Sequence, residues 1–257
     1  MTDGVEDKGN IPTNLRLLLV LEEMASAGVP VTPTEVNKVL GLPKPTIHRL
    51  FTTLEAEGFI QRDIDGRAYS PGRRLRSMSA GILSSLRIRT ARMAVLNRLA
   101  EEIGETCNIA LPDRDRMLYL DRVETTWPLR IQLPVGTRVP LHCTASGKMY
   151  LSTLSDQHLT SYLRTTPMEQ RTKATLVDPD QIMDEMKTIR ARGYSVDAEE
   201  FMDGMIAVGV AINDRDGRLV STLTFHAPVQ RLSLENALQH LDVLKSAAAD
   251  LSSILID

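Results

Sequence analysis

The stretch VTPTEVNKVLGLPKPTIHRLFTTLEAEGFI, residues 31–60, decides the fold of the first part of this chain. Its opening combines Thr32, Pro33 and Glu35, and this spacing predicts a helix start with a capping box. Gly41 follows the last periodic position, so we expect the helix to end there. The apolar positions expected on its buried face are Val36, Val39 and Leu40.

A second helix is predicted after a three-residue turn at residues 41–43. Pro45 suits its first turn, and Gly58 follows its end. Its apolar positions have helical spacing and comprise Ile47, Leu50, Phe51 and Leu54. Two short helices joined by a tight glycine turn are the helix-turn-helix pattern, and an amphipathic helix ending near Gly28 precedes them.

Two short strands are predicted directly after these helices, at residues 59–62 and 67–70. The segment between them contains Asp65 and Gly66, a dipeptide that favours a tight hairpin turn. A hairpin in this position is the wing of a winged helix-turn-helix.

The outer face of the second helix is polar and basic, which suits contact with DNA. Arg can make bidentate contacts with guanine, and Thr can contact the thymine methyl group. Residues 1–72 are therefore predicted to be a DNA-binding domain. A protein-interaction module is the alternative, because residues 1–80 carry ten basic and ten acidic side chains. The expected DNA contacts are Lys44, Thr46, His48, Arg49 and Thr52, with Arg62 and Arg67 of the hairpin touching the DNA backbone or minor groove.

The composition is typical of a two-domain protein of the reducing cytoplasm. The chain has 257 residues and two cysteines, which fit neither a metal motif nor a disulfide scaffold. No apolar run approaches the roughly 18 residues of a membrane-spanning helix. The acidic first ten residues do not resemble a secretion signal. We therefore expect a cytoplasmic protein without a membrane partner.

Charge is unevenly distributed along the chain. The net charge is -3, yet residues 62–98 contain nine Arg and two acidic residues, which is a local charge of +7. One interpretation is a DNA-facing stripe. The alternative is a solvated helix face balanced by acids elsewhere in the fold, and charge alone favours this alternative.

The remainder of the chain predicts a linker helix at residues 73–90 and a larger α+β domain at residues 91–257. Residues 73–103 contain no Pro and a single Gly, so one long helix or two stacked helices are expected. The alternation of strands and helices favours an antiparallel sheet. Strands are predicted at residues 107–111, 117–123, 129–133, 205–212 and 219–226, and helices at 147–154, at 180–192 and from Ser233.

Few residue patterns in the larger domain indicate catalysis, and no catalytic, metal or cofactor site is expected. His142 and Cys143 are adjacent, but neighbours on a strand point to opposite faces and no orienting acid accompanies them. Residues 146–148 resemble the end of a phosphate loop, yet His142 stands where an earlier glycine is required. The small residues 144–147 offer backbone N–H groups at a helix start, which favours an anion such as a carboxylate. A plain capped helix is the alternative.

Four segments resemble the isocitrate lyase regulator (IclR) family of bacterial transcription regulators. They are LPKPTIHRLFTTLEAEG at residues 42–58, YLDRVE at 119–124, LPVGTRVPLHCTASGK at 133–148 and IRARGYSVDAEEF at 189–201. The resemblance implies a winged helix followed by a GAF-like effector-binding and oligomerisation domain. It also implies dimers, often paired into tetramers, that bind palindromic double-stranded DNA. The implied effector is a small molecule, often an organic or aromatic carboxylate.

The resemblance also implies which residues bind the effector. Backbone N–H groups of residues 145–147 would bind its carboxylate, and Asp197 matches an acidic pocket residue. Ala207 stands where the family often has a cysteine, and Thr224 and His226 stand where a sensor of small acids has two serines. These departures suggest an effector that differs in size or polarity from the smallest keto acids. The full expected set is Cys143, Ala145, Ser146, Gly147, Asp197, Ala207, Thr224 and His226.

Three functions compete at this point. The favoured one is a regulator whose operator affinity changes when an effector binds. A hydrolase or thiol enzyme would need a nucleophile, a base and an orienting group, and the sequence offers no such set. An interaction module that binds protein would show little dependence on salt, whereas DNA binding weakens steeply as salt rises.

Overall fold

The computed structural model describes residues 11–63, 66–83, 86–128, 130 and 133–256. These residues form two compact units, with the boundary between Ile82 and Leu83. None of the described helices is long and apolar enough to cross a membrane.

The first unit combines helices with a two-stranded hairpin. The predicted capping box is present, since the Thr32 N–H donates to Glu35 Oε2 at 2.7 Å and the Glu35 N–H donates to Thr32 Oγ1 at 3.3 Å. The helix-turn-helix and the wing strands are confirmed, while Asp65 of the predicted turn lies outside the described residues. The elements are α1 (Arg16–Ala27), α2 (Pro33–Leu40), α3 (Lys44–Ala56), β1 (Ile60–Arg62), β2 (Tyr69–Pro71) and α4 (Arg73–Leu83).

A small core holds the first unit together. Phe51 on α3 meets Tyr69 on β2 edge to face, with ring centroids 5.1 Å apart. Val39 was predicted to join this core, and that prediction is wrong because the side chain is 61% exposed. Successive helix residues are rotated by about 100°, so Val39 points away from the face that α2 buries. That face comprises Pro33, Val36 and Leu40.

The second unit is an α+β domain built on one antiparallel sheet. Its six strands lie in the order β5-β4-β3-β8-β7-β6. The predicted fold class is confirmed. The elements are α5 (Leu86–Ile103), β3 (Thr106–Asp113), β4 (Arg116–Val123), β5 (Arg138–Pro140), α6 (Ala145–Thr153), α7 (Asp156–Thr165), α8 (Pro179–Arg192), β6 (Ser195–Ala198), β7 (Met205–Asn213), β8 (Leu219–Pro228), α9 (Leu234–Leu238) and α10 (Leu241–Ile256).

Two details of the second unit differ from the sequence prediction. The strand expected at residues 129–133 lies mostly outside the described residues, and its described positions, Arg130 and Leu133, belong to no strand. His142 and Cys143 were treated as strand neighbours, but they lie in the turn between β5 and α6. The chain must turn there because Thr144 caps the start of α6 directly afterwards.

The sheet has one apolar face and one face of small or polar residues. The apolar face packs against α5 and α10 and includes Ile206, Val208, Val210, Leu223 and Phe225. The alternate residues of β7 and β8 point towards α6 and comprise Ala207, Gly209, Ala211, Thr222, Thr224 and His226. Because all of these side chains except His226 are small, they leave space beneath α6.

A close approach at Gly147 sets the position of α6. A Cβ atom on Gly147 would overlap the backbone of Leu141, so a side chain at this position would push the helix away from the preceding turn. Glycine is therefore needed here for packing and not for a special backbone conformation.

Gly147→Ala is expected to lower the free energy of unfolding by about 1–3 kcal/mol, because overpacking against backbone forces α6 to shift. Urea unfolding followed by circular dichroism and by the fluorescence of Trp127, the single tryptophan, measures this change. Gly81→Ala is the matched control, because its methyl group would meet no atom within 4 Å on α4. Equal effects of the two substitutions would contradict the packing argument.

Candidate functional site

The first candidate surface is the outer face of α3. Lys44, His48, Arg49 and Thr52 are exposed there, and Thr46 is half-buried. The Thr52 hydroxyl donates to the His48 carbonyl at 3.0 Å, which leaves its oxygen lone pairs and its methyl group for a ligand. The structure therefore brings the five predicted α3 contacts together on one helix.

The wing arginines are placed differently. Arg62 donates from Nε to Glu55 Oε1 at 3.0 Å and from Nη1 to the Gly66 carbonyl at 3.0 Å. Its guanidinium also lies 5.0 Å from the centre of the Tyr69 ring. An exposed ion pair of this kind contributes at most about 1 kcal/mol, so Arg62 can leave Glu55 for another anion at little cost. Arg67 is exposed on the hairpin.

The arginine-rich stretch at residues 62–98 is largely balanced by acids. Arg92 on α5 and Asp121 on β4 are both buried, so this pair helps to hold α5 on the sheet. These contacts favour the interpretation of a helix face balanced by acids and not that of a continuous DNA-facing stripe. The ion pairs are Arg62–Glu55, Arg74–Glu57, Arg89–Asp121, Arg92–Asp121 and Arg98–Asp250.

The second candidate site is a pocket between α6 and the polar face of the sheet. Its cavity volume is about 30 Å³, which is roughly the share of liquid volume that one water molecule takes. A larger effector therefore requires the walls of the pocket to move apart. Six of the eight predicted effector residues line it, namely Ala145, Ser146, Asp197, Ala207, Thr224 and His226. Cys143 and Gly147 do not.

Strand pairing brings these distant residues together. Asp197 on β6 pairs with Ala207 on β7, and Ala207 pairs with His226 on β8. Directly paired residues share a sheet face, so the three form one row beneath α6. Thr224 lies in the next row of the same face, opposite Gly209.

The start of α6 supplies donors to the pocket. Thr144 caps the helix, and its Oγ1 accepts the Gly147 N–H at 3.1 Å. Gly147 is therefore not the free donor that the sequence suggested. Within the described part of the chain, the N–H groups of Ala145 and Ser146 have no acceptor. An anion placed beneath them would receive two hydrogen bonds and the favourable end of the helix dipole.

Asp197 is a buried acid in the pocket wall. The N–H groups of Glu200 and Phe201 donate to its Oδ1 at 2.8 and 3.2 Å. Burial and the nearby Glu200 carboxylate raise the pKa of Asp197 to about 7, although Lys148 and the two N–H donors oppose this rise. Lys148 itself is ion-paired with Glu200 and Glu185. Near neutral pH the Asp197 carboxyl is therefore divided between its neutral and ionised forms.

His226 presents a neutral ring to the pocket. Burial and the neighbouring Arg122 guanidinium lower the pKa of His226 to about 3. Arg122 Nη2 lies 3.3 Å from His226 Nε2. With Nε2 accepting from Arg122, the ring carries its proton on Nδ1 and is a hydrogen-bond donor there.

The arrangement around Cys143 does not suit thiol catalysis. Burial, with a further effect of Asp197, raises the pKa of Cys143 to about 12, so the thiol stays protonated at neutral pH. The neighbouring His142 directs Nε2 to the Glu169 carbonyl at 3.0 Å. Among the described residues, no group of three or more His, Cys, Asp or Glu side chains could hold a metal ion.

Sequence reasoning missed the apolar part of the pocket wall. It comprises Tyr119, Leu133, Phe201 and Met205, together with the backbone of Ile206, whose side chain packs on the opposite sheet face. Apolar residues in a strand or loop are usually part of a core, and nothing in their spacing distinguishes a residue that faces a ligand. The quoted family segments contain Tyr119, Leu133 and Phe201, and those segments are the hint that could have found them.

Comparison with known proteins gives consistent matches along the chain. The family model described as IclR helix-turn-helix domain matches residues 15–63, and that described as bacterial transcriptional regulator IclR C-terminal matches residues 80–253. The HTH-type transcriptional regulator BhcR of Paracoccus denitrificans is 34% identical over 251 residues, which cover 97% of this chain and 89% of BhcR.

Solved structures show the same fold. The crystal structure of IclR from Thermotoga maritima matches with a TM-score of 0.63 and 28% identity, covering 94% of this chain and 97% of that one. An IclR homologue from Microbacterium hydrocarbonoxydans, complexed with 4-hydroxybenzoate, matches with a TM-score of 0.61 and 22% identity. That match covers 95% of this chain and 99% of the homologue.

The raised pKa of Asp197 predicts that stability falls as the pH rises from about 4 to about 7. In this interval the unfolded carboxyl ionises while the folded one keeps its proton, so the unfolded state is favoured increasingly. Asp197→Asn keeps an oxygen for the two N–H donors and cannot ionise. We expect its stability gain over the wild type to grow by at least about 1 kcal/mol between pH 4 and pH 8.

Urea titrations at pH 4, 6 and 8 measure this gain. Asp203→Asn, at an exposed acid in the loop before β7, is the control and should follow the wild type. A gain from Asp197→Asn that is the same at every pH would show that its carboxyl does not titrate in this range.

Proposed function

We propose, because this chain belongs to the IclR family of bacterial transcriptional regulators, that it binds operator DNA and responds to a small carboxylate. The outer face of α3 would contact DNA, and the pocket beneath α6 would bind the effector. The relatives found by comparison are regulators and not enzymes. The effector would change operator affinity by binding two arrangements of the protein unequally, as any allosteric ligand must.

The pair of N–H groups at the start of α6 carries the carboxylate part of this proposal. Ala145 and Ser146 are both buried, and an unpaired buried N–H group costs about 1–3 kcal/mol. A carboxylate satisfies both groups at once and interacts favourably with the helix dipole. The neutral His226 ring and the partly protonated Asp197 carboxyl add polar contacts and repel a bound carboxylate only weakly. The complex of the Microbacterium homologue makes 4-hydroxybenzoate a sensible first probe.

DNA binding is assigned to residues 1–72, and effector binding with self-association to residues 91–257, with residues 73–90 as the linker. Two copies related by a two-fold axis would contact the two halves of a palindromic operator. The exposed Arg49 on α3 is the candidate for direct base contact. Lys44 at the helix start suits a phosphate.

Arg49→Ala is expected to weaken specific operator binding by about 1–3 kcal/mol if it contacts guanine through both nitrogens. Fluorescence anisotropy with an operator selected from random palindromic DNA measures the affinity. Lys38→Ala is the matched control, since this exposed cation lies on α2 and not on α3. Unchanged affinity of Arg49→Ala would exclude the base contact.

The same titrations, repeated at several salt concentrations, distinguish a DNA-binding from a protein-binding winged helix. Neutralised phosphates make the logarithm of DNA affinity fall steeply with the logarithm of salt, and loss of one phosphate contact in Lys44→Ala should reduce this slope by about 1. A salt-independent affinity would favour the interaction module.

Ala145→Pro is expected to weaken carboxylate binding by about 10-fold or more, because it removes one of the two free N–H donors. Proline is tolerated at the first position of a helix. Thr144 already has the extended backbone, φ -116 and ψ 149, that a residue before proline needs. A ligand at 100 times its dissociation constant stabilises the folded state by about 2.7 kcal/mol, so thermal unfolding detects binding.

The screen pairs each acid with its neutral amide. Ser146→Ala, which keeps both N–H groups, is the matched control for Ala145→Pro. The melting temperature without ligand checks that each variant folds. Amides that bind as tightly as the acids would exclude the anion site.

A further inference from the structure

Asn108 is a buried amide without a hydrogen-bond partner. Its exposed fraction is 0%, and neither Oδ1 nor Nδ2 has a partner among the described residues. Buried polar groups are nearly always paired, because the loss of hydration is otherwise uncompensated. An amide kept in this state indicates a partner that the protein does not supply.

Asn108 lies beside the effector pocket, on the same face of the sheet. On β3 it pairs with Thr224 of β8 and with Arg122 of β4. Thr224 lines the pocket, and directly paired residues share a sheet face. Tyr119 of β4 also lines the pocket, and β3 lies between β4 and β8. The pocket is thus bordered by strands on both sides of Asn108.

The surroundings of Asn108 favour an uncharged polar group. The Arg122 guanidinium contacts His226 at 3.3 Å, and its charge is balanced by Glu124 at 3.2 Å. An amide offers one acceptor oxygen and two N–H donors. A hydroxyl, which both donates and accepts, matches this set well, and a carbonyl matches the donors. A hydrocarbon would leave the amide unpaired.

We propose that Asn108 is a specificity-determining residue that binds a second polar group of the effector, a hydroxyl or a carbonyl. The inference rests on the proposed carboxylate function and narrows it to carboxylates that carry such a group. With Asn108, the proposed effector contacts include a residue on β3 in addition to those on α6, β6, β7 and β8.

The sheet geometry sets the spacing between the two effector groups. The start of α6 lies over β7, where a Cβ atom on Gly209 would be 3.3 Å from the Ala145 carbonyl carbon. Gly209, Thr224 and Asn108 form one row across β7, β8 and β3, which is two strand spacings or about 10 Å. Subtracting hydrogen bonds of about 3 Å at both ends leaves roughly 4 Å between the carboxylate and the second group.

The test uses pairs of acids that differ only in the second group. The probes are 4-hydroxybenzoate with benzoate and 4-hydroxybutyrate with butyrate, titrated into the full chain by calorimetry. Asn108→Leu replaces the amide with an apolar side chain of similar size. Asn108→Ala also removes the amide but adds no large side chain that could block the ligand. Thr222→Val is the matched control, because it removes from the same face a buried hydroxyl that already donates to the Ala110 carbonyl.

The wild type is expected to bind the hydroxylated member of at least one pair about 10-fold more tightly than its partner. Both Asn108 variants should bind the two members equally, while Thr222→Val keeps the preference. Without ligand, Asn108→Leu should melt at or above the wild-type temperature, because it removes an unpaired buried amide.

A melting temperature of Asn108→Leu well below that of the wild type would assign the amide a structural role and overturn the inference. If both Asn108 variants still prefer the hydroxylated acids, the inference is wrong. It is also wrong if the wild type binds benzoate or butyrate as tightly as the hydroxylated acid. Neither result would contradict the carboxylate proposal. If the wild type binds neither member of either pair, this inference and the carboxylate proposal fail together.

Discussion

The pocket depends on the hydrogen bonds that Ser195 makes beneath α6. Its hydroxyl lies 2.7 Å from the Ala145 carbonyl and 3.2 Å from the Gly209 carbonyl, so it joins the helix start to β6 and β7. The join is possible because Gly209 has no side chain where α6 approaches the sheet, and Gly147 has none where α6 approaches the backbone of Leu141. The same contacts place the free N–H groups of α6 over the polar sheet face. The local arrangement that packs α6 on the sheet therefore also shapes the proposed ligand site.

Buried charge gives this pocket its chemical character. Lys148 is 2% exposed and is neutralised by Glu200 and Glu185, which makes removal of one partner costly. Burial and the neighbouring Glu200 carboxylate raise the pKa of Asp197 to about 7, and Lys148, which is paired with the two glutamates, only partly opposes this rise. An acid that is partly neutral can remain beside the helix start that we propose binds an anion, whereas a fully ionised one would repel such a ligand.

The first unit works on a different physical basis. Its core is small, and the side chains that we propose contact DNA project from α3 into solvent, where each position can change without disturbing the core. Arg62 shows how such a surface is kept in order without DNA, since Glu55 and Tyr69 hold it in place. In the second unit the residues proposed to bind the effector are themselves buried, so substitutions there would change stability as well as specificity.

Local interactions in the first unit could be predicted from the sequence. The capping box of Thr32 and Glu35 and the glycine after α2 act within a few residues, and for this reason the helix-turn-helix was correctly predicted. The prediction that Val39 is buried was wrong, because the spacing of apolar residues indicates a helix but does not determine which face of α2 packs against the core. In the second unit, the resemblance to a family supplied the polar pocket residues, which lie in recognisable segments.

Only the tertiary structure decided which residues complete the pocket. Asn108 and Thr224 are 116 residues apart and meet through strand pairing, and Asp197 joins the same face through β7. The apolar wall from Tyr119 to Ile206 likewise depends on which strands lie side by side. Sequence by itself determined the elements and the small, polar character of one sheet face. Strand order and register decided what that face encloses, because they arise from hydrogen bonds between segments that no local pattern connects.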